Sequence, residues 1–179
     1  MPKLRLPLFR PTLLAVLAVL LTGGCVSQQP DDDLNKPLPR KSRADALAWA
    51  KQYTAAMAHY AETKISNDPA PRESFEECIG RNDEVADDGR FTLTYAVYAH
   101  LPQKDHIEAV RKVRTALKQH GVEITSYEER PARPEVLLHG FHNKEHFSLI
   151  ADSVKPPNLL RFSVSTPCFL PPGAKQQKF

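Results

Sequence analysis

Apolar and polar positions along the chain change period several times, and each change marks an element. Ala46, Ala50, Tyr53, Met57 and Tyr60 recur at steps of four and three, forming one helical stripe with Trp49 at its border. Eight alanines between Ala44 and Ala61 add helix propensity. Ser42 and Asp45 have the spacing of a capping box at the start of this helix. Phe91, Leu93, Tyr95 and Val97 then alternate with small or polar residues, which is the period of a strand ended by Pro102. Ile107, Val110, Val113 and Leu117 return to helical spacing. Asp105 and Glu108 offer a second capping box, Glu108 and Lys112 an i,i+4 pair, and Gly121 a stop.

Four further strands are expected: Val122 to Tyr127, Glu135 to Phe141, His146 to Val154, and Leu160 to Ser165, the last ending at Pro167 and Cys168. The order is helix, strand, helix, then four strands. It predicts an α+β fold with a mainly antiparallel sheet of about five strands and two helices packed on one face. The stretch Ile65 to Arg90 is polar, is broken by Pro69, Pro71, Gly80 and Gly89, and reads as a loop holding Cys78. Its acids, Glu73, Glu76, Glu77, Asp83, Glu84, Asp87 and Asp88, lack the spacing of an EF-hand and read as a solvated acidic loop.

The beginning of the chain follows a different pattern. Lys3, Arg5 and Arg10 precede an apolar run from Leu13 to Leu21, which is the plan of a secretory signal. At 1.5 Å per residue such a run falls well short of the roughly 30 Å hydrocarbon core of a bilayer. Leu21-Thr22-Gly23-Gly24-Cys25 follows directly and resembles the lipobox of bacterial lipoproteins, with Thr22 where a Leu usually stands. The resemblance covers residues 1–25. It implies cleavage before Cys25, diacylation of the Cys25 sulfur, and a location at the extracytoplasmic face of a cell membrane.

Domain organisation follows. Residues 1–24 are the signal peptide, and 25–41 a lipidated N-terminus and tether rich in Pro and Asp. Residues 42–170 form one α+β domain, and 171–179 a Pro- and Lys-rich tail expected to fray.

Cleavage also changes the charge. The whole chain of 179 residues has 24 basic and 21 acidic side chains; removing Lys3, Arg5 and Arg10 leaves 21 of each. A charge-balanced chain lacks the net positive footprint of a nucleic-acid binder. The nearest basic group, Arg111, Lys112, Arg114 and Lys118, reads as a solvated helix face. The length excludes a two-lobed substrate-binding protein or a barrel enzyme, while 41% hydrophobic and 25% charged residues are those of a globular domain.

Three cysteines are present. With Cys25 taken by lipid, Cys78 and Cys168 remain as an even pair, expected to form a structural disulfide in an oxidising envelope. A redox role would favour Cys-x-x-Cys beside a helix N-terminus, and neither has that setting.

The one catalytic signature is His142-Asn143-Lys144-Glu145-His146, which matches His-x-x-Glu-His. Zinc peptidase chemistry needs both imidazoles one helical turn apart on one face and a third ligand beyond. Here the motif falls between two strand-like runs and reads as a hairpin turn. There is no Gly-x-Ser-x-Gly, no phosphate-cradling glycine loop and no Ser-x-x-Lys at a helix start. The leading expectation is therefore a non-enzymatic lipoprotein binding an envelope protein or cell-wall component, with no cofactor beyond the lipid on Cys25. Its expected recognition surface is the turn bearing His139, Phe141, His142 and His146, at the far end of a strand from the charged loop Tyr127 to Pro134. The alternatives are a small metal or ligand carrier using His139, His142 and His146, and a hydrolase.

Overall fold

The structure is a computed structural model that describes residues 35–156 and 158–179; the signal segment, Cys25 and residues 26–34 lie outside the described residues. Helix α1 (Arg43–Tyr60) begins where the capping pattern indicates. The Asp45 amide donates to Ser42 Oγ at 3.0 Å, and the Ser42 hydroxyl donates to the Asp45 carboxylate at 2.7 Å. Its buried side carries Ala46, Ala50, Thr54, Met57 and Ala58. Tyr53 and Tyr60, expected on that stripe, are only half-buried, and Thr54 lies deeper. Threonine is tolerated there because its hydroxyl donates back to the carbonyls of Ala50 and Lys51, at 3.2 and 3.1 Å.

The sheet has seven strands rather than about five. They are β1 (Ile65–Ser66), β2 (Arg72–Glu77), β3 (Phe91–His100), β4 (Glu123–Arg130), β5 (Glu135–His142), β6 (Phe147–Val154) and β7 (Leu159–Ser165). The two extra strands lie in the stretch expected as a loop. β1 pairs with Tyr98 and Ala99, and β2 with Phe91 to Ala96, so they follow one another along the outer edge of β3. Pro69 and Pro71 fall between them, where neither has a ladder bond to donate. β2 reads Arg-Glu-Ser-Phe-Glu-Glu and only Phe75 turns partly inward, against Phe91 at 5.6 Å between centroids. A charged strand of this kind suits a sheet edge, where it discourages pairing with other chains.

The spatial order is β1-β3-β7-β6-β5-β4, with all neighbours antiparallel. β4 to β7 form a meander, and β7 closes the sheet by pairing with β3. Helix α2 (His106–Gln119) carries the chain from β3 across the sheet to the far edge strand β4. The capping box expected at Asp105 does not form. A 3₁₀ turn at Gln103–Asp105 runs straight into the helix, and the Asp105 side chain makes no cap bond. Glu108 pairs with Arg111 at 3.7 Å, while Lys112 reaches Glu62 at 2.6 Å. Gly121 ends α2 as expected: its φ is +79°, and the Val122 amide beyond it donates to the Leu117 carbonyl at 3.0 Å.

Both helices cover one face of the sheet. There Phe91, Leu93, Val97, Leu138, Phe147, Leu149, Phe162 and Val164 meet Ala46, Ala50, Met57, Val110, Val113 and Leu117 in one core. α1 lies over β3 and β7, and α2 over β4, β5 and β6. Gly140 allows the close approach at β5, since a Cβ there would lie 2.7 Å from Val122 Cγ1. The disulfide between Cys78 and Cys168 is formed, with the Cα atoms 6.1 Å apart and 90 residues enclosed. No helix among the described residues is long and apolar enough to cross a membrane.

The segments expected to act as tether and tail meet each other on the domain. Arg40 bridges Leu170 in parallel, and Leu170 donates its amide to the Pro39 carbonyl at 3.0 Å. The Leu38 amide donates to Gln176 Oε1 at 2.9 Å, and the Phe179 amide to Asn35 Oδ1 at 3.0 Å. Arg90, 2% exposed, anchors the tail from below. It binds the Asp88 carboxylate twice, donates to the Gln177 carbonyl, and lies 4.4 Å from the centroid of the Phe179 ring. Composition suggested fraying because the fastening groups are backbone carbonyls and one buried arginine, which hydropathy does not register.

Candidate functional site

The turn singled out by sequence joins β5 to β6, and strand alternation divides its residues. His139 and Phe141 belong to the helix-free face of the sheet, while His142, three residues after His139, belongs to the helix-covered face. The His142 ring stacks on Phe147 at 4.9 Å and 8° between planes, and its Nδ1 accepts from the Glu145 amide at 3.2 Å. His146 sits in the turn at φ +55°, donates its amide to the His142 carbonyl at 2.7 Å, and has its ring 6.2 Å from that of Phe141. His-x-x-Glu-His is thus a hairpin turn, as its flanks suggested. The three histidines are not gathered, and no group of three or more metal-ligating side chains occurs among the described residues.

What the turn does build is one wall of a groove. Lys144, Glu145 and His146 line, together with the segment from Lys36 to Lys41, a space of about 820 Å³. Trp49, Phe169, Pro167 and Cys168 supply the remaining lining. Trp49 is held by neighbours rather than free to swing. Its ring lies 4.7 Å from Tyr53 and 4.7 Å edge-on to the buried Phe147, which in turn lies 4.7 Å from Tyr53. Such a cluster fixes an aromatic face at a groove wall without ordering cost on binding. Burial and the Glu145 carboxylate push the Tyr53 phenol above its ordinary value, so it stays neutral beneath this wall.

The groove is rich in cations. Lys36, Arg40, Lys41 and Lys144 line it, with Glu145 the one carboxylate among the described residues of the lining. Arg40 donates to the carbonyls of Pro171 and Ala174 at 3.3 and 2.8 Å, and Lys41 sits 5.7 Å from the centroid of Phe169. Neither arrangement supplies a counter-charge. Four cations elsewhere in the domain are paired with carboxylates: Arg111 binds Glu129, Lys112 binds Glu62, Arg130 binds Glu128, and Arg161 binds Asp152. The basic face expected on α2 is accordingly neutralised along much of its length, and Arg114 lies 4.3 Å over the Tyr127 ring. The hydrogen bonds from Arg111 and Tyr127 hold the Glu129 carboxyl down to about 2, while burial and Glu129 push the Tyr127 phenol up to about 12.

Two other polar clusters have the residue types of catalytic sites. His106 is fully buried, with Nδ1 2.9 Å from Ser153 Oγ and Nε2 2.9 Å from the Leu101 carbonyl. Ser153 Oγ also accepts from the Val136 amide at 3.1 Å. The imidazole therefore donates to Leu101 and accepts from Ser153, and burial holds its pKa below the ordinary value. This serine–histidine pair joins α2 to β5 and β6 inside the core. On the helix-free face, Arg161 binds Asp152 through two bonds of 2.9 and 2.8 Å. Burial raises the Asp152 carboxyl, while the charges of Arg161 and His139 work against that shift.

No family model matches this chain, nor does any curated protein or solved structure.

Of the residues expected to form a recognition surface, His146 lines the groove. His142 borders a smaller cavity of about 240 Å³ with Tyr53, Met57, Tyr60 and His120. The groove residues that sequence reasoning missed are Trp49, read as the border of a core stripe, and Lys36 to Lys41, read as tether. The legible signal was Leu38 flanked by Pro37 and Pro39: an apolar residue stiffened on both sides, inside a segment otherwise too polar to pack.

Proposed function

We propose that this chain is a lipoprotein anchored through Cys25 at the extracytoplasmic face of a cell membrane. Its α+β domain is a non-catalytic module that binds an envelope partner through the groove between Trp49, the histidine turn and residues 36–41. The observation that carries the reading is the cysteine arithmetic: Cys78 and Cys168 are joined, which leaves Cys25 as the odd cysteine directly after Gly23 and Gly24. A closed bridge suits an oxidising compartment, and an unpaired third sulfur suits acylation. The binding reading is supported by the groove itself, which combines a braced aromatic face with Arg40 and Lys41, held by carbonyls and by a ring. The residues that resemble catalytic machinery are engaged otherwise. His142 is stacked on Phe147, and His106 and Ser153 are spent on hydrogen bonds between core elements.

Lys36 lies eleven residues after Cys25, and eleven residues reach at most about 40 Å by covalent geometry alone. The anchor and the groove are tested together by membrane fractionation with site-specific crosslinking. Cys25→Ser should release the protein from the membrane or stall it as precursor. A photocrosslinker at Lys144 should capture a partner that one at Arg130 does not. Retention of Cys25→Ser in the membrane at mature size refutes the anchor, and capture from Arg130 alone moves the binding surface to the opposite end of β5.

A further inference from the structure

We propose that the occupant of the groove is an acidic peptide segment of a partner protein, carrying at least one apolar side chain between its carboxylates. This rests on the binding reading above and gives its ligand a chemistry. The mature chain is charge-balanced, yet among the described residues the groove sets Arg40, Lys41 and Lys144 against Glu145. Arg40 is held by two carbonyls and Lys41 by an aromatic ring, so a carboxylate entering the groove meets positive charge not already matched. Lys144 stands exposed in the same lining, so cations and an aromatic face border one space. An occupant carrying both carboxylates and an apolar group matches that combination.

The donor–acceptor balance of the lining selects a peptide over a sugar chain. Sugar hydroxyls need acceptors as well as donors, and among the described residues Glu145 is the single carboxylate in the lining. Lysine and arginine side chains only donate, and the Pro39 carbonyl already accepts from the Leu170 amide. Carboxylates of Asp or Glu are the complementary acceptors, and an apolar side chain is the complement of Trp49, Leu38 and Phe169.

The chain holds one tryptophan, Trp49, so its fluorescence reads this groove alone. The experiment titrates the full-length mature chain, in neutral detergent, with the acetylated and amidated peptide Glu-Glu-Leu-Leu-Asp-Glu. Emission of Trp49 should change saturably, and the apparent Kd should weaken as salt rises from about 0.05 to about 0.5 M. Lys41→Glu with Lys144→Glu should weaken binding by about tenfold or more, the equivalent of two exposed charge contacts reversed. Lys144→Glu alone lies on an exposed turn, and should give part of that loss with an unchanged melting temperature. The same peptide with Lys in place of each acid should leave the emission unaltered.

No saturable change with the acidic peptide overturns the proposal, as does equal binding of the lysine peptide. A response to phosphatidylglycerol vesicles but not to the peptide also overturns it, in favour of a lipid headgroup. These results are separable from failure of the parent reading. A partner still captured from Lys144 beside a silent peptide titration removes the acidic ligand but keeps the binding module. Loss of anchoring dependence on Cys25 removes the lipoprotein whatever the peptide does.

Discussion

Replacing His106 perturbs a site where structure gives both a magnitude and a pH signature. The imidazole is 0% exposed and satisfies two partners, the Leu101 carbonyl and the Ser153 hydroxyl. His106→Ala removes two hydrogen bonds of about 1 kcal/mol each and leaves buried polar groups unmatched, at about 1–3 kcal/mol each. Allowing for relaxation and water entry, a total loss of about 3–4 kcal/mol is expected. The pH signature has a definite sign. Burial lowers the folded pKa of His106, with the Leu101 bond and the Asp105 charge opposing. In the unfolded chain the imidazole titrates near 6.5, so below that pH the unfolded state binds a proton that the folded state refuses. Stability therefore falls as pH drops through about 6.5, by up to about 1.4 kcal/mol per pH unit, until the folded pKa is reached. Urea unfolding at a series of pH values between about 7.5 and about 5 would measure this for wild type and for His106→Gln, which cannot titrate. The difference between the two should shrink toward acid pH as wild type alone loses stability. A difference that stays constant across the range would refute the buried neutral imidazole.

Three further outcomes follow from other sites. Reducing the Cys78–Cys168 bridge, or Cys78→Ser with Cys168→Ser, should cost about 4–5 kcal/mol for a loop of 90 residues and lower the melting temperature by roughly 10–20 °C; calorimetry with and without reductant checks this. Arg161→Met strands the Asp152 carboxylate and should cost about 1–3 kcal/mol, whereas Arg161→Met with Asp152→Leu should recover most of it; a double-mutant cycle in urea measures the coupling. Gly140→Ala would press a methyl against Val122 at 2.7 Å and should cost about 1–3 kcal/mol, partly restored by Val122→Ala.

Periodicity revealed the parts of the fold that obey it. The Ser42–Asp45 cap, the Phe91–Val97 alternation and the stripe Val110, Val113 and Leu117 are local patterns, and each appears with the expected face inward. β2 was hidden because a strand at a sheet edge can be charged on both sides, and only Phe75 betrays an inner face. Thr54 was hidden because its burial depends on bonds to its own helix. The groove was hidden for a different reason. Its walls come from residues 36–41, 49, 144–146 and 167–169, and no window of sequence contains them together. The histidine turn was visible as a cluster of chemistry, but a period of two divides His139 from His142 across the sheet.

The position of β7 has a consequence for the order in which the domain can become itself. An exported chain enters its compartment from its N-terminus, and β4, β5 and β6 can form their meander as soon as they emerge. β1, β2 and β3 can likewise pair among themselves. The two pieces share no ladder until residues 159–165 arrive, because β7 alone touches both β3 and β6. The Cys168 thiol and the Arg40–Leu170 bridge come later still. Until β7 arrives the molecule is two half-sheets with open edges at β3 and β6, so a chain cut short between Val154 and Leu159 is a pair of sticky fragments rather than a smaller version of the domain.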